Sequence, residues 1–238
     1  MPAFLLTRPT AFSQRFAATL LDCFGPDLSI TMSPLIAPTL LDTPFPAGPW
    51  GSLILTSETG VAAYAEHPNR PKDLPKRAFC VGNRTAEEAE LAGLDPVSAD
   101  ADAVALIKLI QDHNPRGRLL HICGANTRGD VALNLTKLGH DSDAFVLYEQ
   151  HQQPLSDAAK ELLGGDRPVI APLFSPRTAA LFAAELSGIY PKAPLICPVL
   201  SDAVADSLSH YPEITLCRAT KPTAESLLEA IKRFFDAP

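Results

Sequence analysis

Residues 53–64 read LILTSETGVAAY and residues 172–182 read PLFSPRTAALF. Each is an apolar run that stops at a hydroxyl-bearing turn, Thr56-Ser57 in one and Ser175 in the other, and then takes up helical spacing. The likeness continues outward. FCVGNRTAEEAE (79–90) follows the first turn at the same distance as CPVLSDAVADSL (197–208) follows the second, with Gly82 matching Leu200. FLLTRPTAFSQRF (4–16) resembles LLHICGANTRGDVAL (119–133): a strand, a polar turn carrying an arginine, then a helix. The chain therefore reads as two copies of one α/β unit, and a crevice between similar domains is a common ligand site.

The same alternation fills the rest of the chain. Apolar runs predict strands near 3–7, 28–36, 52–56, 77–81, 118–122, 143–149, 168–174, 194–200 and 214–217. Helical patterns occupy gaps such as 10–23, 101–112, 129–138 and 222–235, the last with Leu227, Leu228, Ile231, Phe234 and Phe235 close to one face. Strands alternating with helices of this length indicate βαβ units, so the fold class is α/β with parallel sheets flanked by helices. Two stretches break the pattern. Segment 37–51 (APTLLDTPFPAGPWG) is too rich in Pro and Gly for a regular element, and 150–156 (QHQQPLS) is polar and ends a strand. Both read as passages between domains, with Tyr148 at the end of the strand before the second.

Bulk properties narrow the function. At 238 residues, 46% of them apolar and 20% charged, the chain can bury a sizeable core in one large or two small domains. A net charge of −7 argues against a nucleic-acid partner, which would need a basic face. Cys23, Cys80, Cys123, Cys197 and Cys217 are odd in number, and three lie in or beside apolar runs, as free thiols in a reducing compartment would. The start MPAFLLTRPT lacks the basic and apolar regions of a signal peptide, and no apolar run approaches the ~20 residues of a membrane span. The expected setting is the cytoplasm, with no membrane association.

No glycine-rich dinucleotide loop, Walker A loop, GxSxG elbow or HExxH pair is present. His121 and Cys123, two apart along a strand, read as adjacent core positions, so no metal site is expected. What recurs is the strand-to-helix turn: Thr56–Gly60, Gly82–Ala86, Phe174–Thr178, Leu200–Ala203 and the glycine-containing Gly124–Asp130. Any one of them reads as a helix cap. Together, at the carboxyl ends of parallel strands, they face one crevice and offer N–H donors and positive dipole ends to a ligand with many carboxylates. Arg8, Arg84, Arg128 and Arg177 sit in such turns, with Lys221 in a comparable place; a guanidinium can grip a carboxylate through two hydrogen bonds. Each alone also reads as a solvated surface charge, and Tyr148 as a half-buried strand tyrosine.

LLTRP (5–9), LILTSETGVAAY, VGNRTAEEAELAGL (81–94), CGANTRGD (123–130), VLYEQ (146–150), PLFSPRTAALF and ATKPTAESLLEAI (219–231), in this order, resemble the uroporphyrinogen-III synthases over nearly the whole chain. The resemblance implies two similar α/β domains joined by a two-stranded connection. The first would comprise 1–36 plus 152–238 and the second 50–144, with 37–49 and 145–151 connecting them. It implies a lyase acting on hydroxymethylbilane, a linear tetrapyrrole with eight carboxylates that hydroxymethylbilane synthase would hand over. The substrate loses its ring A hydroxyl, forms a spiro intermediate with ring D, and closes with that ring inverted, without a cofactor. The resemblance further implies a monomer, a general-acid or hydrogen-bonding role for Tyr148, and carboxylate binding by Ser57, Thr85, Ser175, Ser201 and Gly124 with the basic residues above. Ser201 stands where many members have Gly-Pro or Gly-x-Thr. A second reading is a non-catalytic two-domain protein binding a tetrapyrrole or other polyanion. A methyltransferase or nucleotide enzyme would want glycines where Thr7-Arg8-Pro9-Thr10 stands.

Overall fold

The computed structural model describes residues 2–126 and 129–236, the side chain of Asp236 excepted. In chain order the elements begin with β1 (Ala3–Leu6), α1 (Thr10–Phe24), β2 (Ile30–Met32), β3 (Ile36–Leu40), β4 (Trp50–Leu55), α2 (Glu58–Glu66) and β5 (Arg77–Cys80). Next come α3 (Asn83–Leu91), β6 (Asp95–Ser98), α4 (Ala103–His113), β7 (Arg118–Gly124), α5 (Val131–Lys137) and β8 (Ser142–Gln152). The chain ends with α6 (Asp157–Gly164), β9 (Val169–Ile170), α7 (Pro176–Ile189), β10 (Leu195–Val199), α8 (Asp202–Asp206), β11 (Thr215–Arg218) and α9 (Ala224–Asp236). Contacts divide it into two units, one of residues 1–37 with 151–238, the other of residues 38–150.

The first unit holds a parallel sheet in the order β11-β10-β9-β1-β2. Side chains alternate across it. Leu5, Leu173, Cys197 and Val199 pack on one face with Phe182 and Leu186 of α7 and Leu163 of α6. Phe4, Leu6, Ile170 and Ile196 pack on the other with Phe16 and Leu20 of α1 and Ile231 of α9. The second unit has the order β3-β8-β7-β4-β5-β6, with β8 through β6 parallel. One of its faces sets Leu53, Leu55, Leu120 and Ile122 against Val61 and Tyr64 of α2; the other sets Ile54, Phe79 and Leu119 against Leu106 of α4 and Leu135 of α5.

The sequence repeat is visible in these sheets. Pairing β9 with β4, β10 with β5 and β1 with β7 lays β11-β10-β9-β1-β2 onto β6-β5-β4-β7-β8 strand for strand. The two units are thus one sheet order threaded from different starting strands. In each, the order in which successive strands are added reverses between the central parallel neighbours, β9 and β1 or β4 and β7, and such a switch point opens a crevice outside the carboxyl ends of the strands.

Four expectations change. Segment 37–51 is not irregular throughout: Ile36–Leu40 form β3, and Trp50 and Gly51 begin β4. Pro38 is tolerated because β3 lies at the edge of its sheet, where a missing N–H breaks no ladder. Its neighbour is β8; the Gln153 N–H donates to the Leu35 carbonyl and the Leu41 N–H to that of Leu147, so one strand advances as the other retreats, in an antiparallel pair. The strand expected at 28–36 is two pieces interrupted at Ser33-Pro34, and the one at 168–174 shrinks to Val169–Ile170 between two prolines, with an isolated bridge from Leu173 to Val199. β6 has no counterpart among the expected strands, since Asp95-Pro96-Val97-Ser98 lacks an apolar run; it survives as an edge strand beside β5. None of the described helices is long and apolar enough to cross a membrane.

Candidate active site

The site of the second unit gathers at its switch point. β4 ends at Leu55, and Ser57 caps α2 by accepting the Gly60 N–H at 2.9 Å. The Ser57 hydroxyl lies 3.0 Å from the Tyr148 hydroxyl. Since Ser57 accepts from Gly60, its own proton can go to the Tyr148 oxygen, which frees the phenolic O–H to donate elsewhere. Tyr148 does not end its strand as the sequence suggests. It sits in the middle of β8, which runs on to Gln152. Its ring packs over Gly124 beside a register shift between Cys123 and Gly124, and the Ala125 N–H donates to the Tyr148 carbonyl. A Cβ on Gly124 would fall 2.6 Å from two ring carbons of Tyr148, so only glycine leaves room for the ring.

On β7 the buried His121 places Nε2 3.1 Å from the Thr56 hydroxyl. Thr56, Ser57, Asp102, His121, Asn126 and Tyr148 supply the polar lining of a cavity of about 390 Å³. Asp102 caps α4 through the N–H groups of Val104 and Ala105, both at 3.0 Å. Among the described residues no group of three or more His, Cys, Asp or Glu gathers as a metal site.

Burial sets the protonation states. Desolvation raises the Tyr148 phenol above its ordinary value; the Ser57 hydrogen bond opposes this and the neighbouring Cys123 adds to it. Tyr148 is therefore a protonated donor at neutral pH. Desolvation lowers His121 to about 4, partly offset by Asp130. A histidine that protonates near 6.5 in the unfolded chain and near 4 in the folded one leaves the unfolded state with more bound protons between those values. Stability is thus fully present above pH 6.5 and falls as the pH drops toward 4, by about 3 kcal/mol at the lower end. Tm followed from pH 7 to 4 should show this acid slope, and His121→Gln should flatten it; an equal slope in the variant would assign it to other groups.

In the first unit, Arg8 follows β1 with its guanidinium 3.9 Å from the Phe174 ring centre and 4.8 Å from that of Phe12. Ser175 caps α7 by accepting the Thr178 N–H and donates to the Thr178 hydroxyl. Ser201 caps α8 without a side-chain bond. The turn at Lys221 is tied down by the buried Ser226, which accepts the N–H groups of Thr220 and Lys221. Because β1, β9, β10 and β11 are consecutive neighbours, these turns share the carboxyl edge of that sheet.

A sequence model for the family described as Uroporphyrinogen-III synthase HemD matches residues 30–229. The chain belongs to this family. Its activity is that of a uroporphyrinogen-III synthase, a lyase of tetrapyrrole biosynthesis. No curated protein sequence matches. Among solved structures, the uroporphyrinogen-III synthetase of Helicobacter pylori is 17% identical, covers 98% of this chain and 100% of its own, and gives a TM-score of 0.64, a likeness of fold. A mutant uroporphyrinogen III synthase of Thermus thermophilus is 14% identical over 99% of this chain and 100% of its own, with a TM-score of 0.48.

Within this synthase, Ser57 and Tyr148 meet at the wall of one cavity, and Gly124 packs against the Tyr148 ring. Arg84 and Thr85 stand one strand away, after β5, with Arg84 exposed and Thr85 buried in the first turn of α3. Arg177 is exposed in the first turn of α7, and Lys221 is exposed. Arg128 lies outside the described residues. Sequence reading includes Thr56 in the turn without giving it a role, passes over Asp102, and takes His121 for core. The available signal is a polar side chain inside the apolar run LLHIC, since a buried imidazole needs a partner.

Proposed function

We propose that the second unit carries the chemistry of the uroporphyrinogen-III synthase reaction, with the Tyr148 hydroxyl as proton donor to the departing ring A hydroxyl of hydroxymethylbilane. The observation that carries this reading is the Tyr148–Ser57 hydrogen bond at the wall of the cavity, in which a buried, protonated phenol can accept from Ser57 and keep its own O–H for the substrate. Breaking the C–O bond releases water, using the phenolic proton, and leaves an electrophilic azafulvene. The substituted carbon of ring D attacks it, and the spiro intermediate fragments and recloses with ring D inverted. The proton spent on the hydroxyl is balanced by the one ring D gives up as it regains aromaticity. Folding the substrate so that its two ends meet is the main demand, a case for proximity catalysis.

The carboxylate arms fall to the strand-to-helix turns. In each sheet these turns stand along one carboxyl edge, with capped helix starts and cationic side chains: Ser57, Gly124, Arg84 and Thr85 in one, Arg8, Ser175, Arg177, Ser201 and Lys221 in the other. Arg128 joins this set by its place in the sequence. The synthase works in the cytoplasm as a monomer that receives substrate from hydroxymethylbilane synthase. Freshly generated hydroxymethylbilane, which closes spontaneously to the type I isomer, provides the test. Parent protein should give type III product in proportion to enzyme, and Tyr148→Phe should leave type I dominant. Equal type III yield from both would remove Tyr148 from the reaction.

A further inference from the structure

β7 alternates. Leu120 and Ile122 face α2, whereas Leu119 faces α4 and α5, and His121, two positions from Leu119, points to that second side. The same alternation at the end of β4 turns Ser57 with Leu53 and Leu55 toward the α2 face and Thr56 with Ile54 toward the other. The two-residue turn Thr56-Ser57 is therefore tied on both faces of the sheet at once: Ser57 to Tyr148 of β8, Thr56 to His121 of β7. All four side chains line the cavity.

The geometry points to His121 as a positioning residue for the synthase reaction: through Thr56 it fixes the β4–α2 turn and so the place of Ser57, the hydrogen-bond partner of Tyr148. This inference rests on the reading of Tyr148 as proton donor. Its physical basis is the cost of burial. An imidazole 3% exposed needs a hydrogen bond, and the Thr56 hydroxyl supplies it, so ring and turn hold each other. The titratable groups that face the imidazole are the Asp130 carboxylate at the start of α5, which acts on the ring, and Asp102 and Tyr148, which line the same cavity. Burial outweighs Asp130 and keeps the imidazole neutral at neutral pH, so the link to Thr56 is a neutral hydrogen bond. A Ser57 hydroxyl that is free to wander would leave Tyr148 donating into water or to Ser57 instead of to substrate.

The test compares kcat and KM for type III formation in His121→Leu, His121→Gln and Thr56→Val, each also in a Tyr148→Phe background. His121→Leu and Thr56→Val should each lower kcat about 3- to 10-fold with KM unchanged, and together should lower it no further than either alone. His121→Gln, whose amide reaches about as far as Nε2, should recover most of the loss. In the Tyr148→Phe background none of these changes should reduce kcat again, because the effect passes through Tyr148; a residue that only supports the fold would lower the rate there too. Thr56→Val alters a half-buried hydroxyl and keeps the test open where His121→Leu fails to fold. Parental kcat in Thr56→Val, or losses that multiply with Tyr148→Phe, would overturn the positioning role. Parental kcat in Tyr148→Phe itself would instead overturn the proton-donor reading.

Discussion

Tyr148→Phe should lower kcat for type III formation by about 10²- to 10⁴-fold while leaving KM within about a factor of two. Phenylalanine keeps the ring, its packing with Phe145, Leu147 and Ile122, and its seat over Gly124. Only the hydroxyl goes, and with it the proton donor that we propose for the leaving group. Stability should fall by only about 0.5–1.5 kcal/mol, the net worth of one hydrogen bond, because Ser57 keeps its bond from the Gly60 N–H. On the proposed reading substrate affinity comes from carboxylate contacts at the strand-to-helix turns, so KM is expected to be spared. A loss confined to KM would make Tyr148 a binding residue; a loss of Tm without loss of kcat would make it a packing residue. Because burial holds the phenol above its ordinary pKa, the parental rate should also show no fall from Tyr148 ionisation up to about pH 10.

The parts of this site that can be read from the sequence share one property: they are local. A serine before a helix announces a cap whatever surrounds it, and Ser57 and Ser175 do cap α2 and α7. Short apolar runs announce strands, and most of them form. The repeat between 53–64 and 172–182 also carries more than local information, since its members occupy equivalent places in the two sheet orders. The rest depends on what lies across the sheet. Pro38 argues against a strand because a proline is intolerable in a sheet centre, and nothing in the sequence says that β3 is an edge. Asp95–Ser98 carries no apolar run because an edge strand buries little. Gly124 reads in the sequence as part of an anion-binding turn; its distinction in the fold is the space it leaves for a ring 24 residues further on. His121 reads as core, and it is core, but its hydrogen bond reaches the end of a different strand. Pairings across 65 and 91 residues, His121 with Thr56 and Tyr148 with Ser57, leave no spacing signature.

Gly124→Ala tests that last kind of information most severely. The added methyl would sit 2.6 Å from two ring carbons of Tyr148 and 3.0 Å from its oxygen, well inside contact distance. Either β7 shifts at its register break or the Tyr148 ring swings away, and the cost of such overpacking is about 1–3 kcal/mol. Both outcomes disturb the 3.0 Å approach of the phenol to Ser57, so kcat should fall about as far as in Tyr148→Phe, with Tm lowered as well. The explanation makes a second demand. In a Tyr148→Ala background the ring is gone, the methyl has room, and Gly124→Ala should cost almost no further stability while activity stays lost. If the substitution is as destabilising with the ring absent as with it present, the clash is with the backbone. Gly124 would then serve the turn after β7, as its place in the sequence suggests, and the seat of Tyr148 would have to be sought in Gly60 and Ser57.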